Sequence, residues 1–159
     1  AFFNLQRRSF QTDWQYFNAL GVLTALYFCK TPYFLYMTSD VFLPRPVNWL
    51  PAAMRLFAKR KKYKVANLVW NEKYAEVQHE SYRRRQDFWV AKQGFSDQQF
   101  LVRTADFKKP IYQEIRADAA FFPRGDVWEK RVYSFMKNHK WERMTYRHGS
   151  YTHIEDGTV

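Results

Sequence analysis

The side chains able to do chemistry in this chain are few and scattered. The single cysteine, Cys29, lies between Phe28 and Lys30 in an apolar run. One thiol can form neither an intramolecular disulfide nor a multi-cysteine metal site, and it reads as a small buried hydrophobe. The histidines are His79, His139, His148 and His153. Gly149 reads as a break between His148 and His153, so these two do not read as paired metal ligands. Glu155 and Asp156 fall in a polar tail and read as solvated. A glycine-rich phosphate loop, a G-x-S-x-G elbow and an H-E-x-x-H pair are all missing. The expectation is therefore no catalytic, cofactor-binding or metal-ligating residue, and no enzyme. What stands out is positive charge: Lys59, Arg60, Lys61 and Lys62 in a row, Arg83 to Arg85 further on, and Lys30 inside the apolar run.

The elements that carry these charges follow from composition. The chain has 159 residues, a formal net charge of +11 and 20% aromatic residues. Disordered chains are poor in aromatics, so this one is expected to order itself by packing rings. The charge is local. Residues 44–85 hold eleven Lys and Arg against three Glu, directly after the most apolar stretch. A block of that kind suits a phosphate backbone or an anionic lipid surface.

The stretch from Tyr16 to Met37 is 22 residues. As a helix it would be about 33 Å long, enough for a hydrocarbon core of about 30 Å. Lys30 would be an intramembrane charge, offset by Leu, Phe and Val and answered by snorkelling or by an acidic partner. Pro32 would kink the span, and Trp14, Tyr16, Tyr33 and Tyr36 would form its interfacial belts. The competing reading is a buried helix, Tyr16 to Cys29. It suffers from the lack of any later segment apolar enough to surround it.

The fold class expected is all-α: a basic aromatic segment over 1–15, a transmembrane helix over 16–37, a proline-marked exit and basic interfacial helix over 38–65, and a helical extramembrane region with a polar tail over 66–159. No large self-contained core is expected. Asn48 reads as the cap of WLPAAMRLFAKRKKYK, whose apolar residues precede the block Lys59–Lys62, an arrangement suited to a lipid headgroup layer. The span 66–93 has no Gly or Pro, and Trp70, Tyr74, Val77, Ser81 and Phe88 fall at helical spacing. Residues 94–124 read as loops and short turns. Asp126 and Glu129 form a capping box for a helix to His148, with Gly149 as its stop.

This layout resembles the supernumerary subunits of mitochondrial inner-membrane complexes such as respiratory complex I and the ATP synthase. The features that carry the resemblance are the acid-free N-terminus AFFNLQRRSF, one apolar span at Tyr16–Met37, the exit FLPRP and long amphipathic helices; Lys30 departs from the pattern. The resemblance implies a non-catalytic accessory subunit of the mitochondrial inner membrane. Its partners would be other subunits of a large complex, with Lys59, Arg60, Lys61 and Lys62 on an anionic lipid such as cardiolipin. The alternative is a mitochondrial ribosomal protein. KRKKYK and SYRRRQDFW interleave cations with aromatics, as phosphate contact and base stacking require.

Overall fold

The computed structural model describes residue 3 and residues 14–119 and 128–154, with side chains from residue 19 onward and for Phe3. Five helices and seven strands are described: α1 (Trp14–Phe28), β1 (Tyr33–Met37), β2 (Val41–Phe42), α2 (Leu50–Lys59), β3 (Tyr63–Trp70), α3 (Tyr74–Glu80), β4 (Arg83–Arg85), β5 (Phe88–Ala91), β6 (Gln99–Arg103), α4 (Thr104–Phe107), α5 (Trp128–Asn138) and β7 (Glu142–His153). The strands form one sheet in the order β1-β6-β3-β7-β5-β4, and β2 pairs with the far part of β7. The neighbours β3 and β7 are parallel; the other pairs are antiparallel.

This architecture corrects the expected all-α class. The chain is mixed α/β, with two core clusters separated by the sheet. On one face α1 and α5 pack on Phe34, Val65, Phe100 and Val102. On the other, Trp49, Ala53, Leu56 and Phe57 of α2 cover Ala66, Leu68, Val90, Leu101 and Met144.

The transmembrane helix over 16–37 is also corrected. Among the described residues no helix is long and apolar enough to cross a membrane. Helix α1 ends at Phe28, and Lys30 lies exposed beyond it. Pro32 disfavours helical backbone at Thr31, and the residues after it pair in register with β6, Tyr33 opposite Arg103. A surrounding core is not needed, because among its described side chains α1 buries the stripe Ala19, Val22, Leu23 and Leu26 and leaves the others exposed. The sheet and α5 supply the other half of that contact.

The long helix over 66–93 is replaced by β3, α3, β4 and β5. A central strand covered on both faces is apolar throughout and shows no alternation. That is the case for YKVANLVW, whose Val65 to Val69 are all buried. A turn with Asn71 and Glu72 at φ 44° and 58° ends it where no Gly or Pro marks the place. The expected helix to His148 stops at Asn138. Lys140, at φ 55°, takes the left-handed position of a Schellman motif, in which the Trp141 amide donates to Met136 O at 2.8 Å. Gly149, expected as the stop, lies inside β7. Residues 99–103, expected in loops and turns, are β6. Helix α2 falls where expected, but Trp49 rather than Asn48 occupies its N-cap, without a side-chain bond. The proposed cap Asp126 and most of the segment 1–15 lie outside the described residues.

Strands β5 and β6 run in the same direction, separated by β7 and β3, yet residues 92–98 alone connect them. So short a link must cross the sheet as an extended strap. At Gly94 it has φ +115°, and a Cβ there would lie 2.6 Å from Arg143 Nη1. Gly94→Ala is expected to lower stability by about 1–3 kcal/mol through backbone strain. Gly21→Ala, in α1 with no atom within 4 Å of the added Cβ, should raise stability by about 0.5–1 kcal/mol. Urea titration of both variants checks this; equal effects would show that the strap is not tightly constrained.

Candidate polyanion-binding end of the sheet

The pairing pattern gathers charges that are far apart in sequence. Strands β1, β3 and β7 are parallel to one another, so their first residues, Tyr33, Tyr63 and Glu142, share one end of the sheet. Strands β5 and β6 finish at that same end. The segments that lead into the first three and out of the last two therefore meet there. They bring Lys30 before β1, Lys59, Arg60, Lys61 and Lys62 before β3, and Lys140 before β7. Lys92 follows β5, and Lys108 and Lys109 follow α4. We call this the basal end. Lys30, Lys92, Lys140 and the block Lys59–Lys62 are exposed and form no ion pair among the described residues.

The carboxylates near the basal end are already engaged. Asp106 is 7% exposed and is the hub. It accepts from Lys64 Nζ at 2.8 Å and Arg103 Nε at 2.8 Å, with Lys109 at 3.6 Å. Burial pushes its carboxyl up, but the hydrogen bonds and charges of Lys64 and Arg103 outweigh that and hold it below the usual carboxylate range. Glu142 accepts from Arg83 at 2.7 Å and from the Tyr82 hydroxyl at 2.9 Å. Beside α5, Glu114 meets His139, and Asp118 meets Arg116 and Lys137, each at 2.7 Å.

The same hub fixes the basic turn. Arg103 donates through Nη1 to Phe57 O at 2.7 Å and through Nη2 to Lys61 O at 3.3 Å and Tyr63 O at 3.2 Å. These carbonyls belong to the last turns of α2, the turn after it and the first residue of β3, and those at the helix end lie where helical partners run out. Lys108 caps α1 in the same way, donating to Tyr27 O at 2.9 Å and Cys29 O at 2.8 Å. Two buried-side cations therefore hold the two segments that display Lys30 and Lys59–Lys62.

The opposite end carries both signs, with Lys73 and Arg85 among its carboxylates. Asp40, Glu72, Asp87 and Asp97 lie in the segments after β1 and β3 and before β5 and β6. Burial, and then the charge of Asp97, push the carboxyl of Glu129 well above its ordinary value. Asp97 is also raised, by burial first and by Asp40 among its neighbours. His153 Nε2 lies 3.1 Å from Asp40. A cleft of about 400 Å³ borders the basal end where β5 finishes and β7 begins, lined by Glu80, Gln93, Phe95, Tyr133 and Arg143 among others. Its arginine is committed to Glu80 at 2.7 Å. Cys29 contacts the hydroxyls of Thr31 at 3.2 Å and Thr104 at 3.6 Å. Among the described residues, no group of three or more His, Cys, Asp or Glu side chains is placed to hold a metal ion.

Of the residues singled out in the sequence, Lys30 and Lys59–Lys62 come to the same end of the molecule. Lys92, Lys108, Lys109 and Lys140 join them without forming any run in the sequence. Asp106 and Arg103, which build the site, carry no motif; only the local pair R-x-x-D hints at them. The chain matches no protein-family model, and comparison with characterised proteins returns no match.

Asp106→Asn leaves Lys64 and Arg103 facing each other without their counter-charge, and is expected to cost about 2–4 kcal/mol. Because the folded pKa of Asp106 is depressed, its contribution is present above the unfolded value of about 3.9 and is lost as pH falls through the lower folded value. Urea titrations should show parent and variant converging toward the acid limit and separating above it. A constant gap across the acid range would exclude this role for Asp106.

Proposed function

We propose that this protein is a non-catalytic accessory subunit that docks through its basal end on a phosphate-bearing surface of a larger assembly. The observation that carries the reading is the charge arrangement. The fold collects cations from five separate segments at one end and consumes the nearby carboxylates in internal pairs, so the displayed charge there is one-signed. A one-signed patch on a rigid scaffold attracts polyanions over a Debye length and holds them by phosphate contact. The setting we propose is the mitochondrial inner membrane, on the acid-free segment AFFNLQRRSF and the excess of cations. Other subunits of a complex would then contact the remaining faces.

Retention on phosphocellulose tests the docking end without presuming what carries the phosphate. The full chain should bind at low salt and elute as ionic strength rises. Replacing Lys59, Arg60, Lys61 and Lys62 together by Gln should lower affinity by about tenfold or more. Replacing Lys73 and Arg147, away from the basal end, should change elution little. Elution of the quadruple variant at the parent's salt concentration would overturn the reading.

A further inference from the structure

We propose that the surface recognised by the basal end is an anionic lipid bilayer, entered by Phe28 as an apolar wedge while the chain stays peripheral. This rests on the docking reading above. The buried stripe of helix α1 leaves a second stripe facing out among its described side chains: Leu20, Thr24, Tyr27 and Phe28, spaced four, three and one residues apart. Leu20 is 36% exposed and Phe28 is 69% exposed, the highest value for any large hydrophobic side chain described. Phe28 is the last residue of the helix, and the helix ends at the basal end, where Lys108 binds the carbonyls on either side of it. Lys30 follows two residues later and Lys109 adjoins Lys108. An exposed aromatic flanked by Lys108 and Lys30 complements a headgroup layer, phosphates outside and acyl chains beneath. At 15 residues, α1 is about 22 Å long, short of a hydrocarbon core of about 30 Å. Its end can dip into the interface but cannot cross.

The aromatics that a nucleic acid would need are spent elsewhere. Base stacking requires ring faces beside the phosphate-binding cations. In SYRRRQDFW, Phe88 is 1% exposed. Trp89 packs on Tyr74, with ring centroids 6.4 Å apart, and Arg147 stands over it at 5.6 Å. The Tyr82 hydroxyl is bound to Glu142, and Arg83 and Lys92 face its ring. What remains outside near the basal end is the adjoining pair Tyr27 and Phe28, set edge to face with ring centroids 4.9 Å apart, in line with the aliphatic Leu20, and an aliphatic side chain suits acyl chains rather than bases.

The test is co-sedimentation of the full chain with phosphatidylglycerol-containing vesicles and with phosphatidylcholine vesicles. Binding should be confined to the anionic vesicles. Phe28→Ser should weaken it about tenfold, with phosphocellulose elution unchanged, and Phe28→Leu should retain it. The Lys59–Lys62 quadruple Gln variant should lose both vesicle binding and phosphocellulose retention. Phe28→Ser binding vesicles as the parent does would overturn the wedge. Retention on phosphocellulose with an RNA mobility shift and no vesicle binding would overturn the bilayer while leaving the docking end intact. Loss of phosphocellulose retention by the parent itself would sink both.

Discussion

One buried carboxylate, Asp106, makes the basal end possible. A turn carrying four consecutive cations repels itself, and two further cations, Lys64 and Arg103, lie just beneath it. Asp106 neutralises that layer at 2.8 Å on both sides. With its charge satisfied, Arg103 can direct its remaining donors to three carbonyls, one in α2, one in the turn and one at the start of β3. The arrangement is layered: a carboxylate at the centre, cations bound to it, backbone bound to those cations, and unpaired cations outermost. A planar guanidinium is the group that can serve a carboxylate and several carbonyls at once; an ammonium has no comparable fork.

The segregation of charge follows from topology. Four strands, β1, β3, β4 and β7, begin at one end of the sheet and two finish there, so the basic segments converge, while Asp40, Glu72, Asp87 and Asp97 fall toward the other end beside Lys73 and Arg85. The gathering of unpaired cations at one end leaves the charge of the molecule unevenly distributed. An approaching anionic surface would therefore orient the chain before contact, which favours productive encounters.

Parts of this were legible in the sequence and parts were not. The block Lys59–Lys62 is visible because it is contiguous, and α2 is visible because Leu50, Ala53, Leu56 and Phe57 keep helical spacing. The strands were hidden for physical reasons. Val65 to Val69 sit in a central strand covered on both faces, so period-two alternation is absent. Left-handed backbone is carried by Asn71, Glu72, Gln86 and Lys140 rather than by glycine, so the usual punctuation of turns and helix ends is missing. A run such as FNALGVLTALYFCKTPYFLYM is equally apolar whether it crosses lipid or forms a helix followed by a strand; only the sheet partner of Tyr33–Met37 distinguishes them. The site was hidden for a further reason, since Lys30, Lys92, Lys109 and Lys140 become neighbours only through strand order.

The position of β7 governs how this fold is reached. It is the last strand described along the chain, yet it lies at the centre of the sheet, between β3 and β5, and also holds β2. Until it arrives, β3 and β5 have no common partner, and the strap from Lys92 to Gln98 has no sheet centre to cross. The pairs made by β7 all reach far back along the chain, from Ala91 opposite Arg143 to Val41 opposite His153, so loop closure must precede most of the enthalpic return. A chain still emerging residue by residue, from a ribosome or through a narrow pore, would hold its aromatic strands uncovered until the segment Glu142–His153 was free. The assembly of the sheet is thus a late and concerted event, and the uncovered interval is where a holding chaperone would act.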